Sequence, residues 1–278
     1  MKKAKKIAVI NDLSGASRCS LTTALPVISA LGINPCVMPT ALLSNHTGHS
    51  QYFFRDLTCE MAEISKMWST LGLEFDSIYS GFLGSEKQID LVKDFIKTFS
   101  HGKTKIIIDP VMGDNGEIYS TYTDDMCKKM KDLVKTADII TPNLTEACVL
   151  CGMDYVGEHP DDEVLLKIAQ KLCAMGPESV IITGCKQECT ISNAVYCEGE
   201  MKKFSSALIP KYFTGTGDTF ASLIAGLVTL GKSVFEATQF ATDFIHKCSA
   251  YSLTIGQTVN EGIACEKFLP LLTDFQRR

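Results

Sequence analysis

Along most of the chain, short runs of β-branched and apolar residues alternate with longer amphipathic stretches, the pattern of parallel strands joined by crossover helices. "KIAVIND" at 6–12 predicts a first strand, and "CSLTTALPVISALG" at 19–32 predicts a helix that stops at Gly32. The rhythm then changes. From 33 to about 57 the chain carries two prolines, alternating apolar and polar residues and a polar centre at 45–50, which predicts a pair of short strands leaving the main sheet as a flap. Regularity returns with helices predicted at 58–71, 86–99, 124–135 and 161–174. Strands are expected in "FDSIYSGFLGS" (75–85), "KIIIDPVMGDNG" (105–116), "ADIITPNLTEA" (137–147) and "SVIITG" (179–184). Two hairpin-like strands near 190–197 and 201–207 precede closing helices at 217–231 and 233–253. With no internal repeat, low-complexity segment or linker, a single α/β domain over 1–278 is expected, with a flap at about 33–57.

Each predicted strand ends in polar or glycine-rich residues, which gathers those residues at one sheet edge. In open α/β sheets that carboxyl edge is where ligands bind. Four segments converge there: Asn11-Asp12, "DPVMGDNG", "PNLTE" and "TGTGD". Their acids are Asp12, Asp109, Asp114, Glu146 and Asp218. With no G-x-S-x-G and no H-E-x-x-H beside these carboxylates and glycines, hydrolase chemistry is disfavoured and a metal–phosphate site favoured. In "FTGTGDTFAS" (213–222), Gly215 and Gly217 permit successive N–H groups to point at one spot, and the helix that follows adds its positive end. Asp218 beside such a nest can accept the proton of an attacking hydroxyl. The same residues also suit a tight turn with Asp218 as a helix cap, and the motif is neither a P-loop nor a dinucleotide fingerprint.

Composition narrows the partners. A net charge of -5 over 278 residues gives no electrostatic footprint for nucleic acid or an anionic membrane, and the one basic cluster, "MKKAKK", reads as a solvated tail. No apolar run approaches the roughly 20 residues that span a bilayer, and "IAVI" is too short for a signal-peptide core. A cytoplasmic location is therefore expected, and the twelve cysteines read as reduced thiols. Cys148 and Cys151 form a C-x-x-C, and Cys185 and Cys189 a C-x-x-x-C. The first pair lies in a helical context and the second lacks zinc-ribbon spacing, so buried or bystander thiols are the favoured reading over zinc.

"TGTGDTF" together with "PNLTE" resembles the ribokinase-like superfamily. With "SNHTGH" (44–49), "SGFLGS" (80–85) and "DPVMGDNGEIY" (109–119), the chain looks like the pyridoxal (pyridoxine, pyridoxamine) kinases, from the first strand to about residue 253. The resemblance implies a three-layer fold, ATP as co-substrate, magnesium, transfer to the 5′-hydroxymethyl group of a B6 vitamer, and a homodimer. A monovalent cation such as K+ is a second ion it leaves room for. It implies that Asp218 is the catalytic base, with Gly215, Thr216 and Gly217 as the anion hole and Thr214 alongside the nucleotide. Asn143 and Glu146 would organise magnesium and the ATP phosphates, directly or through water. Asp109 would lie near the metal, and Thr183 would touch nucleotide. Thr47 matches a position that contacts the pyridine ring, and His46 beside it is either a substrate contact or a packing residue.

Three positions depart from common relatives: Asp12 stands for Ser, Gly81-Phe82 for Gly-Tyr, and Thr183 for Lys. Asp12 could accept hydrogen bonds from a pyridinium N–H or ring hydroxyl, and Phe82 keeps an aromatic face. Two alternatives stay open at this point. One is a hydroxymethylpyrimidine kinase, although those relatives commonly carry Cys where this chain has Asp218; the other is a non-catalytic vitamer-binding protein on the same fold.

Overall fold

The computed structural model describes residues 4–275, so half of the "MKKAKK" cluster lies outside the described residues. In chain order the elements are β1 (Lys6–Ser14), α1 (Ser20–Ala30), β2 (Asn34–Leu43), β3 (Phe54–Asp56), α2 (Thr58–Thr70), β4 (Ser77–Ser80), α3 (Glu86–Phe99) and β5 (Lys105–Ile108). A two-residue hairpin, β6 (Gly113–Asp114) and β7 (Glu117–Ile118), leads to α4 (Asp124–Val134), β8 (Ile139–Ile140), α5 (Leu144–Cys151) and α6 (Asp162–Cys173). The chain finishes with β9 (Ser179–Gln187), β10 (Thr190–Cys197), β11 (Glu200–Ala207), α7 (Thr216–Thr229), α8 (Val234–Thr254) and α9 (Pro270–Phe275).

Nine strands form one sheet in the order β11-β10-β9-β8-β5-β4-β1-β2-β3. From β9 through β2 the neighbours are parallel, while β10, β11 and β3 pair antiparallel at the two ends. Alternation along β1 splits the core between the two faces. Ala8 and Ile10 pack with residues of α3, α4, α5 and α6, whereas Ile7 and Val9 pack with α1, α7 and α8. The ribokinase-like three-layer arrangement expected from the resemblance is the one observed. Among the described residues, no helix is long and apolar enough to cross a membrane.

The expected flap needs correcting. β2 does not leave the main sheet: it runs parallel to β1, pairing Lys6 with Asn34 and Ile10 with Met38, and only its end, Ala41–Leu43, pairs with β3. The prolines that suggested departure are accommodated by strand polarity. Asn34 directs its N–H at the Lys5 carbonyl of the β1 side, so positions 35 and 39, of opposite parity, turn toward the side where β3 does not reach. What projects is the connection from Ser44 to Phe53, pinned at its base by Ser44 N to Phe53 O (3.2 Å) and Phe53 N to Ser44 Oγ (2.9 Å).

Gln88 fixes this edge to the rest of the fold. Its side chain is buried, accepting from the Gly84 amide (2.8 Å) and donating to the Thr40 carbonyl (2.9 Å), Asp56 Oδ2 (3.1 Å) and Thr58 Oγ1 (3.0 Å). Gln88→Leu removes the partner of the Gly84 amide and of the buried Thr58 hydroxyl, whereas the Thr40 carbonyl keeps the Leu57 N–H (3.0 Å) and Asp56 is exposed. Each buried group left unsatisfied costs about 1–3 kcal/mol, so denaturant unfolding should show a loss of at least that size.

Candidate active site

The parallel strands β1, β4, β5, β8 and β9 deliver their carboxyl ends to one edge, and α7 begins opposite β1. Gly215, in the left-handed region at φ 81, is the N-cap of α7 and makes no side-chain cap. The amides of Thr216, Gly217 and Asp218 precede the first turn-closing bond, from Thr219 N to the Gly215 carbonyl (2.9 Å). They are therefore the free donors of a helix N-terminus, where anions are favoured. Gly217 is exposed and a Cβ built on it meets nothing within 4 Å, so the space above these amides is open. Thr214 anchors the turn from behind, its N–H reaching the Val259 carbonyl (3.2 Å) and its carbonyl accepting from Ile263 (3.0 Å). Thr216 Oγ1 donates to the Phe213 carbonyl (2.7 Å).

Asp218 follows on the same turn. The surrounding protein desolvates its carboxyl and pushes it up to about 6, a rise to which the Asp12 charge adds and which bonds from the Ser20 amide and Asn11 oppose. Ser20 is one of four non-glycine residues with positive φ among the described residues, at 49. Asp12 is buried, accepts from Ser14 Oγ (2.7 Å), and has its carboxyl raised by burial. Phe82 stands on the neighbouring loop, its backbone held at both ends: its N–H donates to Asn11 Oδ1 (2.9 Å) and its carbonyl accepts from Thr40 Oγ1 (3.0 Å).

The Asn-x-x-Glu motif is first a cap. Asn143 Oδ1 accepts from Glu146 N (3.0 Å), while Glu146 Oε2 accepts from Asn143 N (2.8 Å), the reciprocal pair of a capping box. Glu146 Oε1 accepts from Met112 N (3.0 Å) and Asn143 Nδ2 donates to the Gly113 carbonyl (2.7 Å), so the box also locks the loop after β5. Asp109 ends that strand, 8% exposed, accepting from Thr141 Oγ1 (2.8 Å) through Oδ1. Burial raises the Asp109 carboxyl, helped by the Asp218 charge; burial likewise raises Glu146, helped by Asp109. Thr183 lies alongside, bridged in parallel to Asn143 and donating its N–H to the Pro142 carbonyl (2.9 Å). Asp114 sits on the hairpin, raised by burial, with Lys186 opposing.

No group of three or more His, Cys, Asp or Glu among the described residues is arranged to hold a metal ion on its own. The residues present nonetheless fit magnesium of the kind that takes one or two carboxylates and draws its other ligands from phosphates and water. The donors are hard oxygens, and the mutual repulsion among Asp109, Glu146 and Asp218 is relieved by a divalent cation. Cys148, Cys151 and Cys185 are buried and Cys189 is exposed.

The structure brings Asp12, Phe82, Asp109, Asn143, Glu146, Thr183 and the 214–218 turn to one edge. The 46–47 pair is more peripheral. Thr47 is exposed on the Ser44–Phe53 connection. His46 has both ring nitrogens engaged: Nδ1 accepts from the Gly48 amide (3.1 Å) and Nε2 pairs with the Asn260 carbonyl (3.0 Å). These bonds supply the packing role weighed for it, although it remains near enough to Asp12 to lower that carboxyl. Ser20 is a contributor that the sequence does not reveal, and Asn11, which the sequence places at this edge, carries no assigned role there although its polar side chain ends the apolar run "IAVIN".

The model of the family described as phosphomethylpyrimidine kinase matches residues 21–262. The chain belongs to this family. Among family relatives, pyridoxine kinase of Bacillus subtilis is 28% identical over 265 residues, covering 93% of this chain and 94% of the relative. A Bacteroides thetaiotaomicron structure, named for phosphomethylpyrimidine kinase and crystallised with pyridoxal, is 41% identical with a TM-score of 0.93, covering 97% of this chain and 96% of that one. Pyridoxal kinase from Lactobacillus plantarum is 28% identical with a TM-score of 0.92, covering 99% of each chain. The enzyme class expected from the motifs, a kinase, is the class named for the family and for these relatives.

Proposed function

We propose that the protein is an ATP-dependent kinase that phosphorylates the 5′-hydroxymethyl group of vitamin B6 vitamers, pyridoxal foremost. The observation that carries this reading is the juxtaposition of a carboxylate, Asp218, with the free first-turn amides of α7 under the open space at Gly217. The pyridoxal in the Bacteroides relative and the names of the Bacillus and Lactobacillus relatives support the choice of substrate.

In this reading Asp218 accepts the proton of the substrate hydroxyl as its oxygen attacks the γ-phosphorus, and the amides of Gly215, Thr216 and Gly217 hold the charge on the transferring group. Phe82 offers the ring a face, Asp12 a hydrogen-bond acceptor, and Thr47 and His46 close the outer side. Asp109 and Glu146 would hold magnesium, directly or through water, with one backbone amide on each Glu146 oxygen fixing that carboxylate's orientation. When bound, the ion offsets charge on the ATP phosphates. Asn143, Thr183 and Thr214 line the nucleotide side. A homodimer, a cytoplasmic location and a monovalent cation such as K+ belong to the same proposal.

The base must be ionised to act, so kcat/KM should fall about tenfold per pH unit below about 6 and level off above it. A pH–rate profile with saturating nucleotide checks this; a flat profile down to pH 5 contradicts it. The family's own name favours a second reading, hydroxymethylpyrimidine as substrate. Competition between pyridoxal and that pyrimidine in one assay separates the two.

A further inference from the structure

We infer that Asn11 is a positioning residue for Asp218, and that it couples the base to the loop that carries Phe82. Asn11 is 0% exposed at the end of β1. Its Oδ1 accepts two backbone N–H groups, from Asp12 (2.9 Å) and Phe82 (2.9 Å). An amide nitrogen cannot accept those bonds, so the carboxamide has one allowed orientation, and in it Nδ2 donates to Asp218 Oδ1 (3.2 Å). Gly81 makes room for this arrangement. A Cβ on Gly81 would lie 2.5 Å from Asn11 Nδ2 and 2.7 Å from its Cγ.

The consequence is specific to the donor. A hydrogen bond to the ionised form of a carboxyl favours ionisation, so Asn11 opposes the desolvation that burial imposes on Asp218. It also fixes the orientation of the Asp218 carboxyl by occupying Oδ1. Because the same side chain holds the Phe82 amide, the ring face and the base share one anchor.

The inference rests on the reading of Asp218 as general base, and the test separates the two. Wild type, Asp218→Asn, Asn11→Asp, Asn11→Leu and Gly81→Ala are assayed for phosphorylation of pyridoxal across pH 5–9. Asn11→Asp can still accept the two backbone N–H groups but removes the donor facing Asp218. Its kcat should drop about tenfold or more and the acid limb of kcat/KM should move up by about one pH unit, with the KM for ATP within about twofold of wild type. Gly81→Ala, which displaces the carboxamide without removing it, should move the limb in the same direction. Asn11→Leu should add a rise in the KM for pyridoxal through the released Phe82 amide. Loss of turnover in Asp218→Asn with an unmoved limb in both Asn11→Asp and Gly81→Ala overturns the inference and leaves the base intact. Turnover retained in Asp218→Asn, or absent in wild type, overturns the reading beneath it.

Discussion

Asp218→Asn is expected to lower kcat for pyridoxal by about 10²–10⁴-fold while leaving KM for both substrates nearly unchanged. Asparagine is close in size and its carbonyl oxygen can still accept from Asn11 Nδ2, so the turn should keep its shape. What disappears is the ability to take a proton. Stability should move the other way. Because burial raises the folded-state pKa of Asp218 to about 6, its contribution to stability is present at low pH and lost as pH rises through that value. At pH 7 the neutral amide escapes this penalty, and the variant should unfold at a higher temperature than wild type. Near-wild-type kcat would remove Asp218 from the chemistry; loss of activity with loss of fold would make it structural.

The two glycines of the anion turn should fail in different ways. A Cβ on Gly215 would overlap the Arg18 carbonyl oxygen, at a backbone φ of 81 that side chains rarely adopt. Gly215→Ala should therefore destabilise by about 3 kcal/mol or more, from left-handed strain and forced backbone movement together, and lose activity with it. Gly217 lacks both constraints: its Cβ would meet open space. Gly217→Ala should be neutral or stabilising by about 0.4–1 kcal/mol, yet reduce kcat by about 10²-fold because the methyl occupies the room meant for a phosphoryl group. Thermal unfolding beside steady-state kinetics separates the pair. Equal stability losses in both would make Gly217 a packing residue, and full activity in Gly217→Ala would move the phosphoryl site elsewhere.

Much of this was readable before the structure, because local pattern and final fold agree over most of the chain. The stretch 86–99 has apolar residues on one face and Ser85 as its N-cap, and it is helical over Glu86–Phe99. β2 departs from the expected flap because two prolines ordinarily argue against an interior strand, while their parity relative to β1 is a property of the assembled sheet. The β6–β7 hairpin interrupts the strand expected through 105–116, and its Asn115-Gly116 turn, at φ 51 and 83, is a strong two-residue signal in the sequence itself. At the site, the glycines and acids could be named from motifs, since each motif carries its own local geometry. Ser20, and the role of Asn11, could not, because both lie in contacts with Asp218, some two hundred positions away along the chain.

The central claim is tested most directly by incubating the purified protein with magnesium, ATP and pyridoxal, and following pyridoxal 5′-phosphate and ADP by chromatography and mass spectrometry, with hydroxymethylpyrimidine in a parallel arm. The account predicts equal amounts of the two products, abolished in Asp218→Asn, and a higher kcat/KM for pyridoxal than for the pyrimidine. No phosphorylated vitamer, or clear preference for the pyrimidine, would contradict it.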